Sequence, residues 1–142
     1  MRYLLDVNVL VSLAFPSHSF HDAAHSWFGA EKERLWATCA LTQAGFVRVA
    51  NRLLGASRES IGLALAGLER DCANSAHEFW PVDVDLRDLS SSQRARLTGA
   101  NQVADMQLLV LAYRHKGQVA TFDTGLRELA AGTAYAQSLV VL

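Results

Sequence analysis

Arg2-Tyr3-Leu4-Leu5-Asp6-Val7-Asn8-Val9-Leu10 opens the chain with a brief apolar run, one acid, and a second apolar run that continues to Ala14. The first run is short and ended by a polar residue, which reads as a buried strand over Arg2 to Leu5. The second, Val7 to Ala14, carries only Asn8 and Ser12 among its polar groups and stops before Pro16, which reads as a short helix. The same alternation continues outward from this point. Helices are expected over His18 to Lys32, Leu41 to Leu54, Arg58 to Cys72, Ser90 to Leu97, Ala104 to Lys116 and Thr124 to Ala130. Strands are expected over Leu35 to Thr38, Glu78 to Val82, Gln118 to Thr121 and Ser138 to Leu142. Strands separated by helices imply right-handed crossovers and a mainly parallel central sheet of four or five strands, an α/β fold.

The helical spacing nominates core residues. Phe20, Ala24, Trp27 and Phe28 share one stripe, as do Ile61, Leu65, Leu68 and Cys72; Leu41, Ala44, Val47 and Leu54 are the inward candidates between them. Trp27, Trp36 and Trp80 are read as core residues. A chain of 142 residues fits one domain, 1–142, and 51% hydrophobic content is enough for a sizeable core. A charged fraction of 19% excludes a disordered chain, and a net charge of −1 excludes a uniformly basic coat for nucleic acid, though not a local basic groove. Cys39 and Cys72 form no CxxC pair and read as small hydrophobes in a reducing compartment. Asp6 interrupts the first apolar run, so no signal peptide is expected, and no run approaches a membrane span. The expected location is the cytoplasm.

Ligands of parallel sheets sit beyond the carboxyl ends of the strands. Asp6 directly follows the first strand, and Asp123 follows Val119-Ala120-Thr121 with one residue between. Asp105 stands in the first turn of the apolar helix before that strand, where a helix N-terminus favours a carboxylate. Three carboxylates at one edge repel each other without a cation, and clustered oxygens suit Mg²⁺ or Mn²⁺. Such an ion can activate a water against a phosphodiester. On spacing alone, helix capping remains open: Asp6 could cap the helix after it, and Asp123 the helix from Thr124.

Five segments in order carry a wider likeness. They are Leu4-Leu5-Asp6-Val7-Asn8-Val9-Leu10, Trp36-Ala37-Thr38-Cys39-Ala40-Leu41-Thr42-Gln43 with Phe46-Val47-Arg48-Val49, Val103-Ala104-Asp105, Leu108-Leu109-Val110-Leu111-Ala112, and Ala120-Thr121-Phe122-Asp123-Thr124-Gly125-Leu126. Together they resemble the PIN-domain ribonucleases, specifically the VapC toxins of bacterial toxin–antitoxin pairs, over nearly the whole chain. The resemblance implies a three-layer α/β/α sandwich, a homodimer, Mg²⁺ or Mn²⁺, cleavage of RNA by metal-activated water, and neutralisation by a VapB-type antitoxin. Carried onto this sequence, it makes Asp6, Asp105 and Asp123 the metal-site acids, with Asn8 and Thr121 orienting them. The chain departs from the family pattern at Gln43, where an acid is usual; a glutamine offers a carbonyl oxygen but no charge. Asn101 and Met106 stand where His and Ala are common.

Further polar residues are candidates for chemistry. Arg127 lies one helical turn past Asp123, within reach of a phosphate. Arg48 and Arg52 share a face that points away from Gln43. His18, His21 and His25 stand near one another on the expected helix, a spacing open to zinc but equally to half-buried flank positions. Two other readings stay open. One is a phosphatase with a nucleophilic acid after the first strand, although its usual second acid falls at Asn8; the other is a catalytically weak PIN-like binding module in which Gln43 marks a lost site.

Overall fold

Five strands, Arg2–Leu5 (β1), Leu35–Thr38 (β2), His77–Phe79 (β3), Gln118–Thr121 (β4) and Leu139–Val141 (β5), pair wholly in parallel in the order β3-β2-β1-β4-β5. The computed structural model describes residues 1–142. Seven helices connect the strands: Val7–Ala14 (α1), His21–Gly29 (α2), Ala40–Leu53 (α3), Arg58–Cys72 (α4), Ser91–Arg96 (α5), Gln102–Arg114 (α6) and Gly125–Ala130 (α7). None is long and apolar enough to cross a membrane.

Side chains alternate between the two faces of a strand, and this sheet is apolar on both. Leu4, Ala37 and Val119 pack on one face with Met106, Leu109 and Leu111 of α6 and Leu126 and Leu129 of α7. Their sequence neighbours Leu5, Trp36 and Ala120 pack on the other with Val9 and Leu10 of α1, Phe46 of α3 and Ala64 of α4. Two cores on one sheet make the three-layer α/β/α sandwich expected. The chain steps from β1 outward through β2 to β3, then returns to lay β4 on the other side of β1. The order of strands therefore reverses between β1 and β4, where a parallel sheet opens a crevice at its carboxyl edge.

Several expected elements move. The second helix begins at His21, not His18, because the preceding loop is closed by its own bonds: the His18 amide donates to Phe15 O at 3.0 Å and the Phe20 amide to His18 Nδ1 at 3.1 Å. Phe20 is thus outside the helix. Trp36 and Trp80 are buried, and Trp27 is half-buried. The third strand begins earlier and ends at Phe79, before Trp80 turns into the core and Pro81 removes a donor. The inward faces of α3 and α4 also differ. Phe46 and Ala50 are the buried apolar residues of α3, while Ala44 and Leu54 are exposed. Ser60 and Ala64 are the buried residues of α4, leaving Ile61 and Leu65 at 44% and 50% exposure. Leu68 and Cys72 of the expected stripe do pack against the core, half-buried, whereas Ile61 and Leu65 stay outside.

α3 also passes close to α1. A Cβ at Gly45 would collide with Cγ2 of Val7, the residue beside Asp6. Val7 is β-branched and stiff, so it yields poorly. Gly45→Ala is expected to cost about 1–3 kcal/mol through overpacking. A lower urea midpoint at unchanged slope would show it; an unchanged midpoint would mean that α3 can withdraw freely.

Candidate functional site

The site is built where β1 and β4 end side by side. The Asp6 amide continues the ladder by donating to Ala120 O at 3.0 Å, and the chain then turns into α1 with Asp6 as its N-cap. Asp6 Oδ1 accepts the Val7 N–H at 2.7 Å, so capping is real and occupies one oxygen. The other oxygen, Oδ2, accepts the Thr121 hydroxyl at 2.7 Å and the Asn8 amide at 3.1 Å. Thr121 Oγ1 in turn accepts the Asp123 N–H at 3.0 Å and the Asn8 amide at 3.0 Å. Its one proton and both lone pairs are then used, which fixes the hydroxyl. Asn8 Oδ1 accepts the Phe122 N–H at 3.1 Å. The side chains of Asn8 and Thr121 thereby stitch the start of α1 to the segment 121–123.

Asp123 is exposed, and its Oδ1 accepts the Gly125 N–H at 2.7 Å. A Cβ at Gly125 would stand 3.0 Å from that oxygen, a tight contact that the exposed Asp123 side chain would have to relieve. Asp105 lies in the first turn of α6, half-buried. Burial, and then the charges of Asp6 and Asp123, push its carboxyl up to about 6. Asp6 is also raised, chiefly by burial with a smaller push from Asp123, against the lowering effect of its bonds from Thr121, Val7 and Asn8. The three carboxylates therefore feel one another. The five ion pairs of the chain all lie elsewhere, so none of the three has a basic partner. Oxygen donors of this kind suit Mg²⁺ or Mn²⁺. No three Asp, Glu, His or Cys side chains close on a single point. An ion that keeps several of its waters does not require such a cage.

Residues 3–132 match the family model of the PIN domain. The chain belongs to the PIN-domain family. It is 41% identical over 142 residues, the full length of both chains, to ribonuclease VapC44 of Mycobacterium tuberculosis. It is 38% identical to ribonuclease VapC39 of the same organism over 131 residues, 92% of this chain and 94% of that one. To ribonuclease VapC38 it is 42% identical over 128 residues, 89% of each.

The other residues singled out in this PIN domain are disposed differently. Gln43 is half-buried on α3, and its amide donates to Thr38 Oγ1 at 2.9 Å rather than to any of the acids. Thr38 Oγ1 is also 2.8 Å from His77 Nε2, a partner that sequence reading missed because it comes from β3. Arg127 is exposed on α7, and Arg48 and Arg52 are exposed on α3. The three histidines form no zinc site. His21 Nδ1 and His25 Nε2 instead meet the carbonyls of Ser12 and Leu13 at 2.8 and 2.9 Å, in the last turn of α1. His18 Nδ1 is 3.1 Å from Ser12 Oγ. His21 and His25 serve as a C-terminal cap for the helix that Asp6 begins.

Asp105 supplies a pH test. Its carboxyl has an ordinary value of 3.8 and stands at about 6 in the fold. Between these values the folded chain holds more protons than the unfolded one, so stability falls as pH rises through the window and stays lowered above it. No hydrogen bond offsets this. Asp105→Asn is expected to melt higher than the parent at about pH 8 without added metal, with the gap closing toward about pH 4. Thermal melts at the two pH values check it; an equal gap at both would show that charge is not the cause.

Proposed function

We propose that this PIN domain is a Mg²⁺- or Mn²⁺-dependent endoribonuclease, the toxin of a type II toxin–antitoxin pair, acting on RNA phosphodiesters in the cytoplasm. The observation that carries the reading is a set of mutually repelling carboxylates, Asp6, Asp105 and Asp123, without a basic partner at the reversal of strand order. The relatives named ribonuclease support the substrate class. Asp6, Asp105 and Asp123 would hold the ion, which when bound supplies Lewis acidity at the phosphodiester and makes water a better nucleophile. Asn8 and Thr121 hold Asp6 in one rotamer and fix the backbone that carries Asp123. Arg127, exposed one turn beyond Asp123, is a candidate for holding a neighbouring phosphate.

A VapB-type antitoxin and a second copy of the chain complete the proposal. Two features support contact with partners. One is an apolar groove of about 530 Å³ lined by Leu10, Leu13, Phe28, Trp36, Phe46 and Leu68 among others. The other is the exposed group Leu53, Leu54, Ile61, Leu63 and Leu65 on and after α3 and on α4.

Cleavage of single-stranded RNA should require Mg²⁺ or Mn²⁺ and stop with EDTA. Asp6→Asn keeps a capping oxygen for α1 but turns an amide donor toward Thr121 and Asn8, so the variant's fold is checked by circular dichroism before its rate is read. It should lower the rate by about 10²-fold or more. An undiminished rate would remove Asp6 from the chemistry. Release of phosphate from a phosphomonoester, with an aspartyl phosphate trapped on the chain, would favour the phosphatase instead.

Gln43 tests the missing charge. Thr38 can turn its hydroxyl to donate to a carboxylate at this position, so Gln43→Glu is sterically mild. The added charge should tighten Mn²⁺ binding by about fivefold, the effect of about 1 kcal/mol. Calorimetric titration reads it, and equal affinities would show that the position does not face the ion.

A further inference from the structure

Phe20 and Phe122 form a parallel stack that the chemistry above does not use. Their planes differ by 5° and their centroids are 4.4 Å apart. Phe122 lies between Thr121 and Asp123 in the chain, and its amide is held by Asn8 Oδ1 at 3.1 Å. Its ring therefore comes from the same short segment as Asp123. Phe20 covers it from the loop before α2, and that loop is itself pinned by the bond from the Phe20 amide to His18 Nδ1. Yet Phe20 is 45% exposed. One of its faces rests on Phe122, so the exposure falls on the opposite face and the rim. The His18 ring, 6.0 Å away and tilted by 36°, does not cover it as a third stacked ring.

A large aromatic ring kept open on Phe122, the residue before Asp123, gains nothing from water. The helical stripe expected from the sequence would have buried it, and the pinned loop holds it out instead. Any nucleobase presents a flat π-face, and single-stranded RNA is commonly held by bases stacked on exposed aromatic rings. We propose that Phe20, backed by Phe122, is the platform on which an unpaired base next to the scissile phosphate stacks. The inference rests on the ribonuclease reading above and deepens it by naming the residue on which a base of the strand would be held. The platform carries no hydrogen-bonding group on its open face, so it positions the strand without selecting the base. Phe20 is a binding residue in this scheme, and Phe122 positions it.

The test compares Phe20→Leu with the parent in the Asp6→Asn background, where RNA survives. Fluorescence anisotropy with Mg²⁺ present gives the affinity for a labelled single-stranded RNA and for copies with one abasic site moved along the strand. Phe20→Leu should weaken binding of intact RNA by about fivefold or more. For the copy abasic at the stacked position, the two proteins should bind alike. Phe20→Trp should restore or exceed the parent affinity, and it also guards against a Leu variant that folds poorly. Unchanged affinity for intact RNA in Phe20→Leu, or an equal loss on every abasic copy, overturns the platform. Failure of the ribonuclease reading shows separately, as absence of metal-dependent cleavage by the chain with native Asp6 while the abasic pattern persists.

Discussion

The hydrogen bond from the Thr121 hydroxyl to Asp6, 2.7 Å long, spans 115 residues of chain and ties the end of β4 to the start of α1. It exists because β1 and β4 are parallel neighbours, with Leu5 opposite Ala120. Two parallel strands in register end at the same edge, so the residues just past each strand are brought together. Asn8, at the start of α1, then reaches both Asp6 and the backbone of Phe122. If that pairing were lost, Asp6 and Asn8 would have no relation to Thr121 and Asp123. The site is in this sense a consequence of sheet topology, and the side chains only complete it.

The same convergence carries an electrostatic burden. Asp6 is buried and Asp105 half-buried, and the fold supplies neither with a cation. For Asp6 the fold compensates in part with donors: two side chains and one helix N–H. For Asp105 it offers none, and this carboxyl is the one moved to about 6. Stability is lost at this edge and recovered in two apolar cores, one on each face of the sheet. Such local cost at a functional edge is common where charge must be ready for a ligand.

Helix α1 connects these levels. Its start is capped by Asp6, and its end is held by His21 and His25 through the carbonyls of Ser12 and Leu13. Gly45 lets α3 approach it closely. A short helix anchored at both ends presents Asn8 in one place, which its own eight residues could not ensure. The His spacing that suggested a metal is explained by this capping. The loop that delivers His18 also projects Phe20 onto Phe122, the residue before Asp123.

Local sequence by itself determined β1, α1, β2, α4 and β4 to the residue, because each is a short apolar or periodic run with a clear stop. It also determined which acids follow strands, and from the family likeness that Asn8 and Thr121 stand with Asp6. Only the tertiary structure decided which side of a helix meets the core. Periodicity marks an apolar stripe, but on α4 Ser60 and Ala64 are buried and Leu68 and Cys72 half-buried, while Ile61 and Leu65 stay outside. Only the tertiary structure decided that Gln43 and His77 both meet the Thr38 hydroxyl, since those contacts join α3, β2 and β3. The stack of Phe20 on Phe122 likewise joins two segments far apart in the chain. Spacing along a chain describes local geometry, and these contacts depend on which strands become neighbours.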